Sequence, residues 1–556
     1  MHRTVRSTAV CAALILVAVG CSKSTPTADH SGSGVGSIVE GGVLRIGSSS
    51  NIDSLNPFKA FQQDAYNVFQ YTYPYLVGWD TTNLTLVGDW ATDWTWNADN
   101  TSVTFNVMTN GKWSDGQPLT AADAAYTLNL LIKYPGPTGL EGGYARHIVS
   151  AEAPDDGTLT IGYEAPVNED WALSQFQQIP ILPQHVWSKE EGDAGKGLRT
   201  FTNDAPIVSG GPFTLTKYSK DEFVQMDANP GYYGPKPHIE GWGLKFYTNA
   251  DAMVSALQNG EIDDVESVPA AALANLKANP NLVVSEAPGI YFDDFIVNSN
   301  KPLHAELLDP KVREAFDSAI DRQSMVDTVL LGHGAPASTI VSPSTGHWHN
   351  SDIAPTPYDI THANDLLDTA GYPKGSDGIR TADGKPMTYE ILTPSNVDGV
   401  DREFEIIQAS FQQIGVKVTQ KSLDPSAMFD LMAGANYDSY DNFDLALWDW
   451  YPLPDPDFIL SVLTCQQYGF WSDTGYCNKE YDTLYNKQGL IVNPTERETV
   501  VWQMQQMIHD DRPYIIMMNR NVLEAHTSKW DGFVMSPIGS FTAYSKQTLL
   551  QVHQVG

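Results

Sequence analysis

The densest run of chemistry-bearing residues lies late in the chain, where Trp448, Asp449, Trp450 and Tyr451 lead into Asp455, Pro456 and Asp457. Flat aromatic faces suit sugar rings, apolar side chains or cationic groups, and neighbouring carboxylates suit an amine or a cation. Trp448 and Trp450 share one face of any strand that carries them, so packing into a core accounts for them equally well. Asp455 and Asp457 bracket a proline, which is also the composition of a turn and a helix cap. His347 and His349 fall on one side of a strand, with His333 nearby in sequence, yet no Cys or carboxylate joins them at a metal-ligand spacing. A surface loop is expected there, and neither a metal nor a cofactor is expected anywhere.

Catalytic signatures are missing. The chain has no G-x-S-x-G elbow, no H-E-x-x-H pair and no phosphate loop. With 67 acidic residues, carboxylate pairs arise by chance, and glycosidase chemistry needs a separation that sequence does not give. Binding is expected over catalysis; an enzyme and a purely structural or adhesive protein are the alternatives. A formal net charge of −34 disfavours nucleic acid and anionic lipid as partners, and it favours cationic ligands through long-range attraction.

The N-terminus reads as an export signal. Arg3 and Arg6 form a basic start, Thr8 to Val19 is a short apolar stretch, and small residues precede Cys21. The apolar stretch is too short to span a bilayer comfortably. The segment before Cys21 is similar to the lipobox of bacterial lipoproteins, with Ala18 where Leu is commoner; the resemblance implies that Cys21 is acylated. Residues 22–37 are rich in Ser, Thr, Gly and Pro, a tether composition. Cys11 leaves with the signal, so Cys465 and Cys477 remain as a pair in an oxidising compartment. A disulfide is expected between them, with free thiols or metal ligation as the alternatives.

A chain of 556 residues exceeds one hydrophobic core. Residues 42–47 and 103–107 read as strands. Thr120 and Asp123 are spaced as a capping box. Asn249 or Asp251 caps a helix that Gly260 ends, and Asp309-Pro310 and Asn493-Pro494 each start another. Strand-like and helical segments alternate throughout, which indicates a mixed α/β architecture. With no linker after residue 37, crossing strands are expected to join the lobes.

Five segments, in order, resemble the family-5 extracellular solute-binding proteins of ABC importers. They are the stretch from Trp90 to Asp123, ending in DGQPLTAAD; LPQHVW at Leu182 to Trp187; SGGPF at Ser209 with NPGYY at Asn229 and GEID at Gly260; VREAFDSAIDR from Val312 to Arg322; and Trp448 to Phe458, ending in DPDF. Gly210 stands where the family commonly has Thr, and Tyr233 where it has Trp.

The resemblance implies an α/β two-lobe clamp of periplasmic-binding-protein type II with an extra subdomain in the first lobe. The expected layout is 1–20 signal, 21–38 lipidated Cys and tether, 39–88 with 206–298 and 527–556 as lobe I, 89–205 as the extra subdomain, and 299–526 as lobe II. It implies a lipid-anchored protein on the outer face of the bacterial cell membrane, expected as a monomer, which hands an oligopeptide to permease subunits. An oligosaccharide is the alternative ligand. Ser49 and Asn51 are expected at the cleft mouth and Tyr291 and Phe292 along the cleft, with Trp448, Asp449, Trp450, Tyr451, Asp455 and Asp457 as further ligand contacts. Peptide-binding members often place an Asp three residues before the Asp-Pro step to hold the ligand amine. Pro452 occupies that position here, leaving Asp449 or Asp457 to serve.

Overall fold

The computed structural model describes residues 38–556 apart from 51, 266, 435–438 and 539–544. The signal, Cys21 and the tether fall outside the described residues, as does Asn51.

Local signals read in the sequence act as expected. Asp123 accepts a hydrogen bond from the Thr120 backbone N–H and closes a capping box on the helix Ala121–Lys133. Asn249 caps Ala250–Gln258, Asp309 caps Pro310–Ser318 and Asn493 caps Pro494–Asp511, the last two with proline in the first turn. A disulfide joins Cys465 and Cys477.

An eleven-stranded mixed sheet runs through the body. Its path is Lys417–Leu423, Thr388–Pro394, Leu445–Trp450, Leu282–Val297, Tyr514–Thr527, Asp264–Val265, Val43–Ser48, Gly241–Phe246, Phe223–Ala228 and Phe213–Ser219, with Gly334–Pro336 added alongside Tyr514–Thr527. A separate antiparallel sheet is formed by Ala91–Trp96, Ser102–Val107, Thr158–Tyr163 and Ile148–Asp155.

Two strands in the middle of the large sheet are far longer than their neighbours. Leu282–Val297 and Tyr514–Thr527 pair antiparallel from Leu282 opposite Thr527 to Ile296 opposite Tyr514. One end of this ribbon, with Leu523 and Ala525, packs on Met253, Leu257 and Leu276. At the other end the period-two alternation of a strand divides its residues between two cores. Phe295 and Val297 pack beside the helices Pro310–Ser318 and Val400–Gln413, whereas Phe292 and Ile296 pack on the opposite face with Met504 and Ile508. Between the ends the register slips, so that Pro288 lies opposite Asn521 but Phe292 opposite Asn519. This is a bulge, where ladder pairing is interrupted and a strand bends.

The recurring sequence segments serve as joints. Asp123 also accepts from the Gln184 backbone and from Trp113 Nε1, tying DGQPLTAAD to LPQHVW. A Cβ on Gly211 would lie 2.3 Å from the Tyr71 carbonyl oxygen, so the SGGPF turn needs glycine for its close approach. Asn229 donates to the Gly211 carbonyl, and Asp263 of GEID accepts from Arg45 Nε at 2.8 Å. In VREAFDSAIDR, Arg313 donates to the carbonyls of Leu307 and Asp511. Arg322 donates to the Ile516 carbonyl of the long strand and pairs with the buried carboxylate of Asp317.

Removing one partner of a buried ion pair strands the other charge. Arg322→Met is therefore expected to lower the unfolding free energy by about 3 kcal/mol in urea denaturation. A loss below about 1 kcal/mol would mean that Arg512, which also reaches Asp317, is sufficient for it.

Candidate functional site

The strand Leu445–Trp450 delivers its side chains alternately. Leu445 and Leu447 enter one core and Ala446 and Trp450 the other, so Asp449 follows the first pair and Trp448 the second. Opposite Asp449 in register lies Asp293, and opposite Trp448 lies Asp294.

On the Asp449 side, three carboxylates gather about one cation. Arg520 Nε donates to both oxygens of Asp293, at 2.9 and 2.8 Å, and Nη2 donates to Glu403 at 2.8 Å. Asp449 is half-buried, and its carboxylate has no hydrogen-bond donor among the described residues. Burial and then the Asp293 charge lift its carboxyl to about 6, with Arg520 opposing. Burial, followed by Asp293, lifts Glu403 to about 8. One guanidinium thus faces three acidic groups, an arrangement with unused capacity for a cation.

On the other side, Asp294 is fully enclosed and neither carboxyl oxygen meets a donor. Burial, with Asp473 the strongest neighbouring charge, keeps it well above the usual carboxylate range. Asp473 accepts from Trp450 Nε1 at 3.2 Å and from the Tyr514 hydroxyl, and burial raises it to about 7. Trp450 is enclosed against Phe458 and Trp471; Trp448 stays half-buried. Tyr451 meets Tyr291 edge-on, with ring centroids 4.0 Å apart, beside the bulge of the ribbon. Phe292 lies wholly in the core. Ser49 sits in the bend after Val43–Ser48, half-buried, next to Ser48, whose hydroxyl donates to Asp64 at 2.6 Å.

Asp455 and Asp457 belong to a second polar network. Arg497 holds both oxygens of Asp455 at 2.8 Å. Asp457 accepts from Arg146 Nη1 at 3.1 Å and Nη2, from Trp171 Nε1 at 2.9 Å, and from Gln488. Burial alone would raise Asp457; Arg146 and these donors overcome it and hold the carboxyl below its usual range. Asn168 adds a bond to the Ile491 carbonyl, and a Cβ on Gly489 would lie 2.8 Å from the Trp171 ring. Phe61 and Phe429 stack at 6.5 Å elsewhere between the same halves of the chain. Both networks join residues hundreds of positions apart, so sequence carried no signal for Arg146, Trp171, Arg497 or Arg520. The pair His347 and His349 lies in and just after a short 3-10 turn, Pro343–Trp348, where His349 Nδ1 lies 2.7 Å from the Val341 carbonyl oxygen.

The fold is that of type II periplasmic binding proteins. The oligopeptide-binding protein AppA from Bacillus subtilis, solved with a nonapeptide, superposes with a TM-score of 0.83 at 21% identity, covering 94% of this chain and all of that one. DppA from Helicobacter pylori, solved with the peptide STSA, gives 0.79 at 22% identity over 93% of this chain and 99% of its own. The protein belongs to the bacterial extracellular solute-binding proteins, family 5, whose "Middle" model matches residues 85–470. Protein XP55 of Streptomyces lividans is 27% identical over 441 residues, 78% of this chain and 76% of its own. A probable D,D-dipeptide-binding periplasmic protein of Escherichia coli is 24% identical over 510 residues, 89% of this chain and 92% of its own. This is a family of ABC-transporter binding proteins, not of enzymes. Among the described residues no helix is long and apolar enough to cross a membrane.

The raised carboxyls carry a sign. Asp449, Glu403 and Asp473 keep protons in the folded chain at pH values where ordinary carboxyls, near about 4, have released them. The folded state then binds more protons than the unfolded one, and this part of the stability falls as pH rises from about 4 towards about 7. Asp473→Asn removes one such group. Its unfolding free energy relative to the unsubstituted protein should improve by more than about 1 kcal/mol between about pH 4.5 and 7.5 in urea titrations. A difference that stays constant with pH would contradict this placement of the proton.

Proposed function

We propose that this protein captures an extracellular oligopeptide between two lobes and delivers it to the permease of an ABC importer. In this reading Cys21 carries lipid and residues 22–37 tether the body to the outer face of the cell membrane. Lobe I is formed by 39–88, 206–298 and 527–556, with 89–205 as its extra subdomain, and lobe II by 299–526. The protein acts as a monomer, and ligand bridging both lobes favours the closed state through its differential affinity. The bulge at Pro288–Phe292 is the natural place for the ribbon to flex.

The carrying observation is Asp449. It is a half-buried carboxylate without a donor, beside an aromatic pair and in a group where acids outnumber cations three to one. That is the chemistry an α-ammonium requires. Asp457, the other candidate, already accepts from Arg146, Trp171 and Gln488. Relatives support the ligand class: five curated relatives from Brucella, each 27% identical over 385 residues, are described as putative ABC transporter peptide-binding proteins. An oligosaccharide site would need tryptophan faces open to ligand, and Trp450 is enclosed with its indole N–H committed to Asp473.

Native mass spectrometry of the soluble body, with release of any co-purified molecule, tests the class: peptide masses support the reading and a hexose series overturns it. For a peptide that binds, Asp449→Asn is expected to weaken affinity by about 10- to 100-fold, or about 1.4–2.8 kcal/mol. Acetylating the peptide amine should cost the unsubstituted protein a similar factor and the variant little more. Equal losses in both proteins would move the amine contact elsewhere. Saturating ligand should also reduce the radius of gyration in X-ray scattering; an unchanged radius contradicts the clamp.

A further inference from the structure

A small cavity beside the network of Asp455 and Asp457 is lined by two polar side chains that the candidate site does not use. Its walls come from distant parts of the chain, with Trp79 and Gln175 from the first half and Leu453, Asp455 and Asp457 from the second. The enclosed part has room for about one water molecule. Gln175 is 3% exposed. Its Nε2 donates to the Trp171 carbonyl at 3.3 Å and to Ser174 Oγ at 3.2 Å, which leaves the amide oxygen as an acceptor that no donor reaches among the described residues. Trp79 ends the strand Val77–Trp79, which is held in register against Leu86–Gly88. Its indole N–H is shielded from solvent and meets no acceptor among the described residues.

The charges at this cavity are already balanced. Arg497 holds Asp455 and Arg146 holds Asp457. A cation would find both carboxylates taken, and an anion would face the two of them. A neutral group remains. The orphaned atoms lack one acceptor and one donor, and a hydroxyl supplies both from a single atom. It also has the size of the enclosed space, whereas a carboxamide is bulkier. Shielded polar atoms left unpaired are costly, so such a site discriminates sharply against an analogue without the hydroxyl.

We propose that Trp79 and Gln175 form a subsite for a hydroxyl-bearing side chain of the ligand, the serine or threonine of a peptide. Trp79 Nε1 donates to the hydroxyl oxygen, and Gln175 Oε1 accepts from the hydroxyl hydrogen. Leu453 lies four positions after Asp449, at most about 14 Å along the chain. An extended peptide held by its amine at Asp449 covers that span in about four residues. The hydroxyl therefore belongs near the N-terminal end of the ligand. This inference rests on the reading of the protein as a peptide binder.

The probes are pentaalanine with its five single-threonine and five single-valine variants, measured by calorimetry at about pH 7.5. Threonine and valine have nearly the same shape, so their affinity ratio at one position reads the hydroxyl alone. At least one position is expected to favour threonine by about 10-fold. Trp79→Phe and Gln175→Met should each cut that ratio below about threefold while pentaalanine binds within about twofold; each variant serves if the other fails to fold. In protein with isotope-labelled indoles, the N–H resonance that Trp79→Phe removes should move downfield with the threonine peptide and not with its valine counterpart. A ratio near one at every position overturns the subsite and leaves the peptide reading standing, and so does a ratio that both variants preserve. Asparagine preferred over threonine at the same position overturns the hydroxyl assignment. No binding by any of these peptides overturns the peptide reading and the subsite with it.

Discussion

The backbone ladder between Leu282–Val297 and Tyr514–Thr527 is the interaction on which the rest of the molecule depends. A ladder resists sliding and separation of its strands, yet a long two-stranded stretch bends and twists readily. Each end of the ribbon is fixed by burial in a different core. The middle, where register slips at Pro288–Phe292, is held by Gly334–Pro336 pairing on Met518–Arg520 and by side-chain bonds from Asn519 to the Tyr291 carbonyl and from Ser342 to the Gly289 carbonyl. In the proposed clamp, such a ladder would confine motion between the halves to a bend and exclude a slide. The groups beside the bulge, Tyr291, Asn519 and Arg520, sit where a small rotation changes their neighbours most.

Charge placement follows from that geometry. Arg520 is on the ribbon and reaches Asp293 on the same ribbon and Glu403 on an adjoining helix. Its guanidinium keeps acids together that would otherwise repel, at a point next to the bend. Far from it, Arg146 and Asp457 make a buried pair between segments 311 positions apart. Such a pair is strong evidence for one arrangement of the chain and weak evidence for net stability, because desolvation offsets much of the attraction.

The recurring segments were legible in sequence because they solve local problems. Thr120 with Asp123, Asp309 with Pro310 and Asn493 with Pro494 cap helices within a few residues. Gly211 lets backbone pass backbone, and Arg313 takes the nearby Leu307 carbonyl, although the Asp511 and Ile516 carbonyls, bound by Arg313 and Arg322, come from far along the chain. These features define the fold and say little about the ligand. The groups proposed to face ligand were only half legible. Asp449 stood out by its neighbours, but the same reasoning gave equal standing to Asp457, which the structure commits to Arg146 and Trp171. Trp450 read equally as a ligand face and as core, and it lies enclosed; alternation along a strand tells which residues share a face and not what covers it.

The first described residues also have a mechanical meaning. Ile38 and Val39 pair with Gln554 and Val555, and that strand pairs in turn with Trp530 and Asp531. Four positions after Val39 the chain enters Val43–Ser48, hydrogen-bonded in parallel on both sides within the large sheet. A pull on the chain ahead of Ile38 first peels a two-residue contact, bond by bond, which takes little force. Residues 40–42 then allow at most about 13 Å of extension before the load reaches a central strand. There the bonds on both flanks lie across the pull and share it together. The small sheet therefore works as a fuse for tension applied ahead of Ile38: it opens before Val43–Ser48, and with it the large sheet, takes any load.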